Sequence, residues 1–403
     1  MMKTAEPPGP LSGLRILDLS TVIAGPLAST LLADLGAQVL KVEKPGEGDP
    51  LRGLPPYKNG AALWWKVTNR NKKGISLDLR TEEGREILGQ LIGEFDVLVE
   101  NFRPGTLDRW GITKEWLHAI NPALIILRVT GFGQSGPYRN RPGFARVFEA
   151  MSGFTNLCGE AERPPVHVGF PVADSIGGLF GAIGILSALA WRHRNPAGSG
   201  LEIDCSMLEA MFRILDFLPI EYDQLGIVRQ RSGNASQYAS PGNVYRTADG
   251  KWASIAASTQ SIFERLCRAL GIEASIKDGR FLTNALRVEN RSELDALIGQ
   301  SIGRLSLEAL RRTLDAHQVG FSPIYGIDDI FNDEHYAARE AIVKVEDAEL
   351  GEVRMQGVVP RFCGLACAVG ATGPGMGEHN EEIYAGLGID PSRMDALRGK
   401  GVI

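Results

Sequence analysis

The sequence predicts an α/β protein: a large domain built on a parallel sheet, with a smaller α+β domain after it. Two observations carry this expectation. Short β-rich runs alternate with helix-length segments from Leu14 to Thr130, the pattern of parallel strands joined by helical crossovers, with ligands expected beyond the carboxyl ends of the strands. At 403 residues the chain also exceeds what one core supports, since single cores seldom grow past roughly 250 to 300 residues.

Residues 15–19 read as the first strand, 26–35 as a helix with Pro26 in its first turn, and 38–43 as the second strand. Glu82 and Glu83 open a helix that runs to about Glu94, and 96–100 and 124–130 supply the third and fourth strands. The turn-rich stretch 195–200 precedes a short strand and a helix over 207–218. Next come polar residues 229–242, a hairpin over 244–255 around Asp249-Gly250, and helical stretches over 260–270 and 291–317. Beyond Phe331 follow a charged helix, a strand over 351–359, a Gly/Pro-rich segment and a last helix from Asn380. The expected division is 1–225 for the large domain, 226–328 for the small α+β domain, and 329–403 for the C-terminal part.

Asp174 leads a glycine-studded apolar run. A helix N-cap is its plainest reading; the sharper one is a nucleophilic or acid/base carboxylate, desolvated by the apolar wall. The two are compatible, because first-turn amides would keep such a carboxylate ionised while Gly177 and Gly178 leave room beside it. The uncharged run 175–191 carries four glycines and is shorter than a spanning helix, which predicts a buried helix packed closely on a neighbour.

A net charge of −5 argues against a general binder of nucleic acid or anionic membrane. The five cysteines form no disulfide framework, and Cys363 and Cys367 have no Cys/His pair nearby to complete a metal site, so the thiols are expected reduced and no metal is expected. The N-terminus breaks at Pro7 and Pro8 before any apolar core forms, so no secretory signal is read and a cytoplasmic protein is expected.

Gly131-Phe132-Gly133-Gln134-Ser135-Gly136 matches the dinucleotide fingerprint as a string. Pro137 and Pro142 instead predict an irregular loop with no helix opening on the third glycine. Cations cluster at expected strand ends and loops: Lys41, Lys44, Lys72, Lys73, Arg80, Arg103 and Arg109. That spread suits a ligand with several phosphates. His167 lies near Asp174 in sequence, but no Ser or Cys stands in a nucleophile-elbow context, and a structural histidine is expected. Trp64 and Arg146 are further substrate-contact candidates, with a core position the leading reading for Trp64.

Several stretches together resemble the class III CoA-transferases, the family of formyl-CoA transferase and carnitine CoA-transferase. They are Leu17-Asp18-Leu19-Ser20 through Ala24-Gly25-Pro26, Leu35-Gly36-Ala37-Gln38-Val39 to Glu43, Asn71-Lys72-Lys73, Leu77-Asp78-Leu79, Val99-Glu100-Asn101-Phe102-Arg103-Pro104-Gly105, Asn121-Pro122, Gly131-Phe132-Gly133, Asp174 and Gly377-Glu378-His379. The resemblance implies a Rossmann-like large domain built from both chain ends, an interlocked homodimer, and Asp174 as the catalytic aspartate. It implies that coenzyme A touches Val22, Ile23, Ala24, Lys44, Leu77, Arg80, Asn101, Phe102, Arg109 and Met207.

The implied chemistry is CoA transfer from an acyl-CoA to a carboxylic acid through an acyl-aspartyl anhydride and an aspartyl-CoA thioester. One thioester replaces another, so neither ATP nor a metal is required. Amides of the Gly131/Gly133 loop or of Gly177-Gly178 are the candidate oxyanion donors. Arg146 and His167 suggest a second carboxylate on the substrate, hence a small dicarboxylate.

The chain departs from its relatives twice. Formyl-CoA transferase covers its aspartate with a glycine-run loop that residues 233–242 lack, leaving Gln237 and Tyr238 as candidates for the shield. The α-methylacyl-CoA racemases carry a histidine base in the segment aligned with Gly143 to Arg146, where this chain has Phe144, which cannot move a proton. A racemase or epimerase of CoA thioesters is therefore the lesser enzymatic alternative, and a CoA-binding protein without chemistry the non-enzymatic one.

Overall fold

A computed structural model describes residues 9–196, 198 and 200–403. The N-terminal segment read for a signal, and Ala197 and Ser199 of the expected turn, lie outside the described residues. Two compact units form: one holds the chain up to Thr155, His167–Gly226 and Ala337–Ile403, the other Asn156–Val166 and Ile227–Tyr336.

The first unit is built on six strands: β1 Arg15–Asp18, β2 Gln38–Glu43, β3 Lys72–Ser76, β4 Val97–Glu100, β5 Ile125–Thr130 and β6 Glu202–Ser206. All neighbours are parallel, in the order β3-β2-β1-β4-β5-β6. Leu17 of β1 pairs with Leu40 on one side and Leu98 on the other. Their side chains join Ile75, Ile126 and the C-terminal residues Tyr384 and Leu397 in a core on one face. Ile16, Val39, Val97 and Leu127 point to the other face, where two helices cover them, α1 (Ala24–Asp34) and α4 (Val172–Arg194). Burial on both faces explains why these strands are near-continuous apolar runs. The strand order reverses between β1 and β4, which opens a crevice at their carboxyl ends.

α4 packs along α1 through its glycines. A Cβ on Gly178 would sit 2.9 Å from the Ala24 carbonyl oxygen, and one on Gly181 3.2 Å from Ala28 Cβ. By length and composition this helix could also cross a membrane, but its glycine stripe is buried in the core. The expectation that Gly177 and Gly178 leave space for a ligand is overturned. Met207 Cγ would lie 2.8 Å from a Cβ on Gly177, and α1 fills the space at Gly178.

Several boundaries also differ from expectation. β3 is a strand that the sequence pattern does not announce, because Lys72-Lys73-Gly74 lacks an apolar period. The helix expected over 207–218 ends at Arg213 and a second, Leu218–Leu225, starts with Pro219 in its first turn. The stretch 291–317 is two helices, Arg291–Ile302 and Leu307–Ala316, the second capped by Ser306. The charged helix expected beyond Phe331 is a short one, Glu334–Ala338, and another short helix, Ile327–Asn332, precedes it. The strand near 351 is one arm of a hairpin, Ile342–Asp347 with Gly351–Gln356. The last helix divides at Gly388 into Asn380–Gly386 and Pro391–Gly399.

The second unit carries an antiparallel sheet, Phe321–Pro323 beside Trp252–Ala256 beside Gly242–Arg246. Helices including Gln260–Ala269, Arg291–Ile302 and Leu307–Ala316 bury Phe263, Phe281, Ile298 and Leu310 against it.

Candidate active site

The crevice floor is a buried set of charges at the carboxyl end of β1. Asp18 accepts from Ser20 N–H at 2.9 Å, Ser29 Oγ at 2.6 Å and Lys72 Nζ at 2.9 Å. Lys41, fully buried, lies 3.9 Å from Asp18 and 3.2 Å from Asp49. Burial opposes the charge on Asp18, but Lys41 and Lys72 outweigh it and hold the carboxyl below its ordinary range. Burial, reinforced by Lys41, pushes Lys72 down to about 8 against the pull of Asp18. Lys41 and Lys72 are thus internal ion-pair partners, which corrects their reading as cations open to a phosphate ligand. Lys73 likewise pairs with Glu382.

These charges position the loop above them. Asp49 accepts from the Val22 N–H through both oxygens, at 3.0 and 3.2 Å. It thereby holds Val22 at φ 67°, a left-handed conformation that a β-branched residue adopts only when its surroundings impose it. Asn101, just past β4, bonds Thr21 from the other side of the crevice.

Two cavities open around this loop. The larger, about 730 Å³, is lined by Val22, Ile23, Ala24, Asn101, Phe102, Arg146, Asp174 and Met207, with Arg103, Arg139, Arg141 and Phe144 also on its wall. The smaller, about 330 Å³, is lined by Lys44, Leu77, Arg80, Phe102 and Trp110. They share Thr21, Pro50 and Phe102 as a common wall. Arg109 lines neither and bonds Thr106. Trp64 packs against the cluster of Ile23, Leu51, Ala62 and Trp65.

Asp174 is the third residue of α4. The expected N-cap is overturned: Pro171 holds the cap position without a side-chain acceptor. The amides of Val172 and Ala173 instead donate to Glu149 Oε1, at 3.1 and 3.4 Å. Glu149 comes from α3 (Ala145–Met151) and is 1% exposed. Its Oε2 accepts from His167 Nδ1 at 3.2 Å, and His167 stands outside the residues lining the Asp174 cavity. Among the described residues no hydrogen bond or ion pair reaches the Asp174 carboxylate. Burial, with a smaller push from Glu149, raises it to about 7. The expectation that first-turn amides keep it ionised is therefore reversed.

The glycine loop is irregular over 131–144, and α3 starts only at Ala145. Gly131 and Gly143 both lie against the Phe148 ring, where a Cβ would approach to 2.2 and 2.6 Å. Phe132 meets Phe148 and Tyr138 edge-on, and the Arg141 guanidinium lies 3.9 Å from the centre of the Tyr138 ring. Gly131 lies on the cavity wall, whereas Gly177 and Gly178 lie inside α4, where the helix ladder takes their amides. Gln237 and Tyr238 belong to the second unit, where Gln237 bonds Arg229 and Gln230.

The family model described as CoA-transferase family III matches residues 11–380. The chain belongs to CoA-transferase family III. This family III chain is 42% identical over 405 residues to a succinyl-CoA:D-citramalate CoA-transferase of Chloroflexus aurantiacus, covering all of both. It is 35% identical to a succinate:glutarate CoA-transferase of Agrobacterium fabrum, over 94% of this chain and 96% of the other. A CaiB/BaiF family protein from Brucella suis has the same fold, with TM-score 0.85 and 35% identity over 94% of this chain and all of that one. Within the family III chain, sequence reading missed Glu149, Asp49 and Arg141 at the site. Their only local signals are an acid in a mostly apolar helix, an acid before Pro50, and an Arg before Pro142.

Proposed function

We propose that this CoA-transferase moves CoA from a dicarboxylic acyl-CoA to a second small dicarboxylate, with Asp174 as covalent nucleophile. The carrying observation is a carboxylate without a bonding partner inside a cavity that adjoins a second, cation-edged one. Lys44 and Arg80 stand at the smaller cavity in exposed pairs with Glu47 and Asp78, which in this reading they exchange for CoA phosphates. The shared wall at Thr21 and Phe102 offers the pantetheine arm a path towards Asp174.

In the proposed cycle an Asp174 oxygen attacks the thioester carbonyl, and the C–S bond breaks with release of the CoA thiolate. That thiolate attacks the Asp174 carbonyl of the anhydride, leaving an aspartyl-CoA thioester and freeing the first acid. The acceptor carboxylate then attacks this thioester, and the returning thiolate transfers to the new acyl group and restores Asp174. The uncapped first turn of α1 at Ala24, and Gly131, are the donors nearest to hand for the oxyanions.

Both relatives above carry dicarboxylates in their names. Arg139, Arg141 and Arg146 pair with no carboxylate among the described residues and can hold the distal group. His167 is committed to Glu149, so Arg141, stacked on Tyr138, takes that part in this reading. Exposed apolar residues on α4 (Leu179, Ile183) and beyond it (Ile220, Leu225) favour the interlocked homodimer as their cover.

The test is transfer between succinyl-CoA and labelled dicarboxylates with Asp174→Asn, trapping the adduct with hydroxylamine. Wild-type rates in the variant would refute the reading. Solvent deuterium entering the α-carbon without an acceptor acid would favour the racemase alternative, although Phe144 at the cavity is no base. CoA affinity with no adduct would leave only a binding protein.

A further inference from the structure

Glu149 is a carboxylate buried where a helix start would ordinarily bind its own acid. α4 begins at Val172 after a proline that has no side-chain acceptor to offer; the Val172 N–H reaches the Phe170 carbonyl at 2.9 Å, and Ala173 needs an acceptor from elsewhere. Asp174, two residues on, is near in sequence and would be an obvious recipient. The structure sends those amides to the Oε1 of Glu149 from a different helix, at 3.1 Å from Val172 and 3.4 Å from Ala173. The Oε2 of the same group takes the Nδ1 proton of His167 at 3.2 Å, which also sets the tautomer of that ring.

A carboxylate that accepts two or three backbone amides becomes a weak base and a poorer nucleophile, because the bonds stabilise its charged form. Diverting the amides leaves the oxygens of Asp174 with their full basicity. The second effect is electrostatic, since a negative charge behind Asp174 destabilises its anion. The remaining charges on the cavity wall are Arg103, Arg139, Arg141 and Arg146, none within ion-pair distance of Asp174. α1 and α5 (Met207–Arg213) contribute Ala24 and Met207, without charge, to that wall. Glu149 is thus the acid that opposes those arginines at the nucleophile.

We infer that Glu149 is a positioning residue which, backed by His167, withholds the α4 amides from Asp174 and keeps it a strong, unbonded nucleophile. This rests on Asp174 being the nucleophile. It assigns a function to a buried acid that an ordinary helix cap would not need: any acceptor of the right length would satisfy the amides, but only a charged one also acts on Asp174.

Glu149→Gln separates the two roles. The glutamine Oε1 can still accept from Val172 and Ala173, so the helix start is preserved while the charge is lost. The acid limb of kcat/KM for transfer from succinyl-CoA should move down by half a pH unit or more. The plateau kcat should fall several-fold, with KM for succinyl-CoA changing less than twofold. A limb within 0.2 units of wild type (roughly 0.3 kcal/mol, below what a neighbouring charge contributes) overturns the inference. Should the glutamine variant not fold, His167→Leu, which has no donor, reads the same coupling from the other side. Glu149 then loses its donor, and the limb should move up; a stationary limb again overturns the inference. Asp174→Asn, assayed in parallel, distinguishes the two failures. If it remains active, the nucleophile assignment is wrong; if it is inactive while the Glu149→Gln profile matches wild type, only the role of Glu149 is wrong.

Discussion

Asn101 and Thr21 exchange two hydrogen bonds of 2.7 Å across the crevice: the Thr21 N–H donates to Asn101 Oδ1, and Asn101 Nδ2 donates to the Thr21 carbonyl. The first strand of one half of the sheet is thereby tied to the first strand of the other at the point where both cavities meet. Asn101→Ala removes both bonds. It is expected to cost about 1–3 kcal/mol of stability in urea unfolding and to raise KM for succinyl-CoA about tenfold, while kcat changes less. An unchanged KM would mean that the clamp does not shape the CoA path.

The acid limb of transfer should report Asp174. With its carboxyl raised to about 7 by burial and by Glu149, kcat/KM should climb about tenfold per pH unit below that value and level off above it. The acceptor acids, with carboxyls near ordinary values, are ionised throughout that range. A profile flat from pH 5 to pH 9 would contradict the assignment.

Stability should carry the opposite sign. The folded-state carboxyl is raised above its unfolded value, so Asp174 favours the native state most at low pH. That contribution is lost as pH rises through the folded value. Asp174→Asn should match wild type near pH 4 and exceed it at pH 8, by on the order of 2 kcal/mol once its partial exposure is allowed for. Chemical unfolding of both proteins at the two pH values measures this.

Asp18 balances two buried ammonium groups. Asp18→Asn leaves Lys41 and Lys72 facing each other without it, and should destabilise by about 3–5 kcal/mol or more. Lys400→Gln, which breaks a solvent-exposed pair with Glu83, should change stability far less, because water and salt screen such a pair. Equal effects would mean that the buried set is not what holds the crevice floor.

Arg141 should govern the choice of acid. Losing a guanidinium-carboxylate contact typically costs about 1.5–3 kcal/mol. Arg141→Gln is therefore expected to lower the ratio of kcat/KM for succinate over propionate by about 10- to 100-fold. An unaltered ratio would move the distal carboxylate to Arg139 or Arg146.

The strands were legible because a parallel sheet covered on both faces writes its interior as short apolar runs: residues 38–43 match β2 end to end. β3 was hidden because Lys72 faces Asp18 from inside the protein, and a strand whose first residues are lysines looks like a solvated loop. Helix breaks at Gly303 and Gly388 escaped for a related reason, since the apolar period continues across them. At the site, the segment containing Val22 to Ala24, Asn101 and Phe102 could be found by resemblance, and the structure places these residues on the wall of the cavity that holds Asp174.

The sequence by itself determined the parallel α/β core, the family, and Asp174 as the acid at the head of a glycine-rich helix, because these follow from local periodicity and contiguous motifs. Only the tertiary structure decided which groups face one another. It sent Lys41 and Lys72 inward to Asp18, filled the space at Gly177 and Gly178 with Met207 and α1, and gave the amides of α4 to Glu149, 25 residues before Asp174. Electrostatic partnership depends on distance in space, and a chain that crosses the sheet between two residues leaves no trace of their contact in either one's neighbours. For that reason the charge state of Asp174, expected ionised from its place in the sequence, is decided by its burial in the fold, with a smaller push from a residue on another helix.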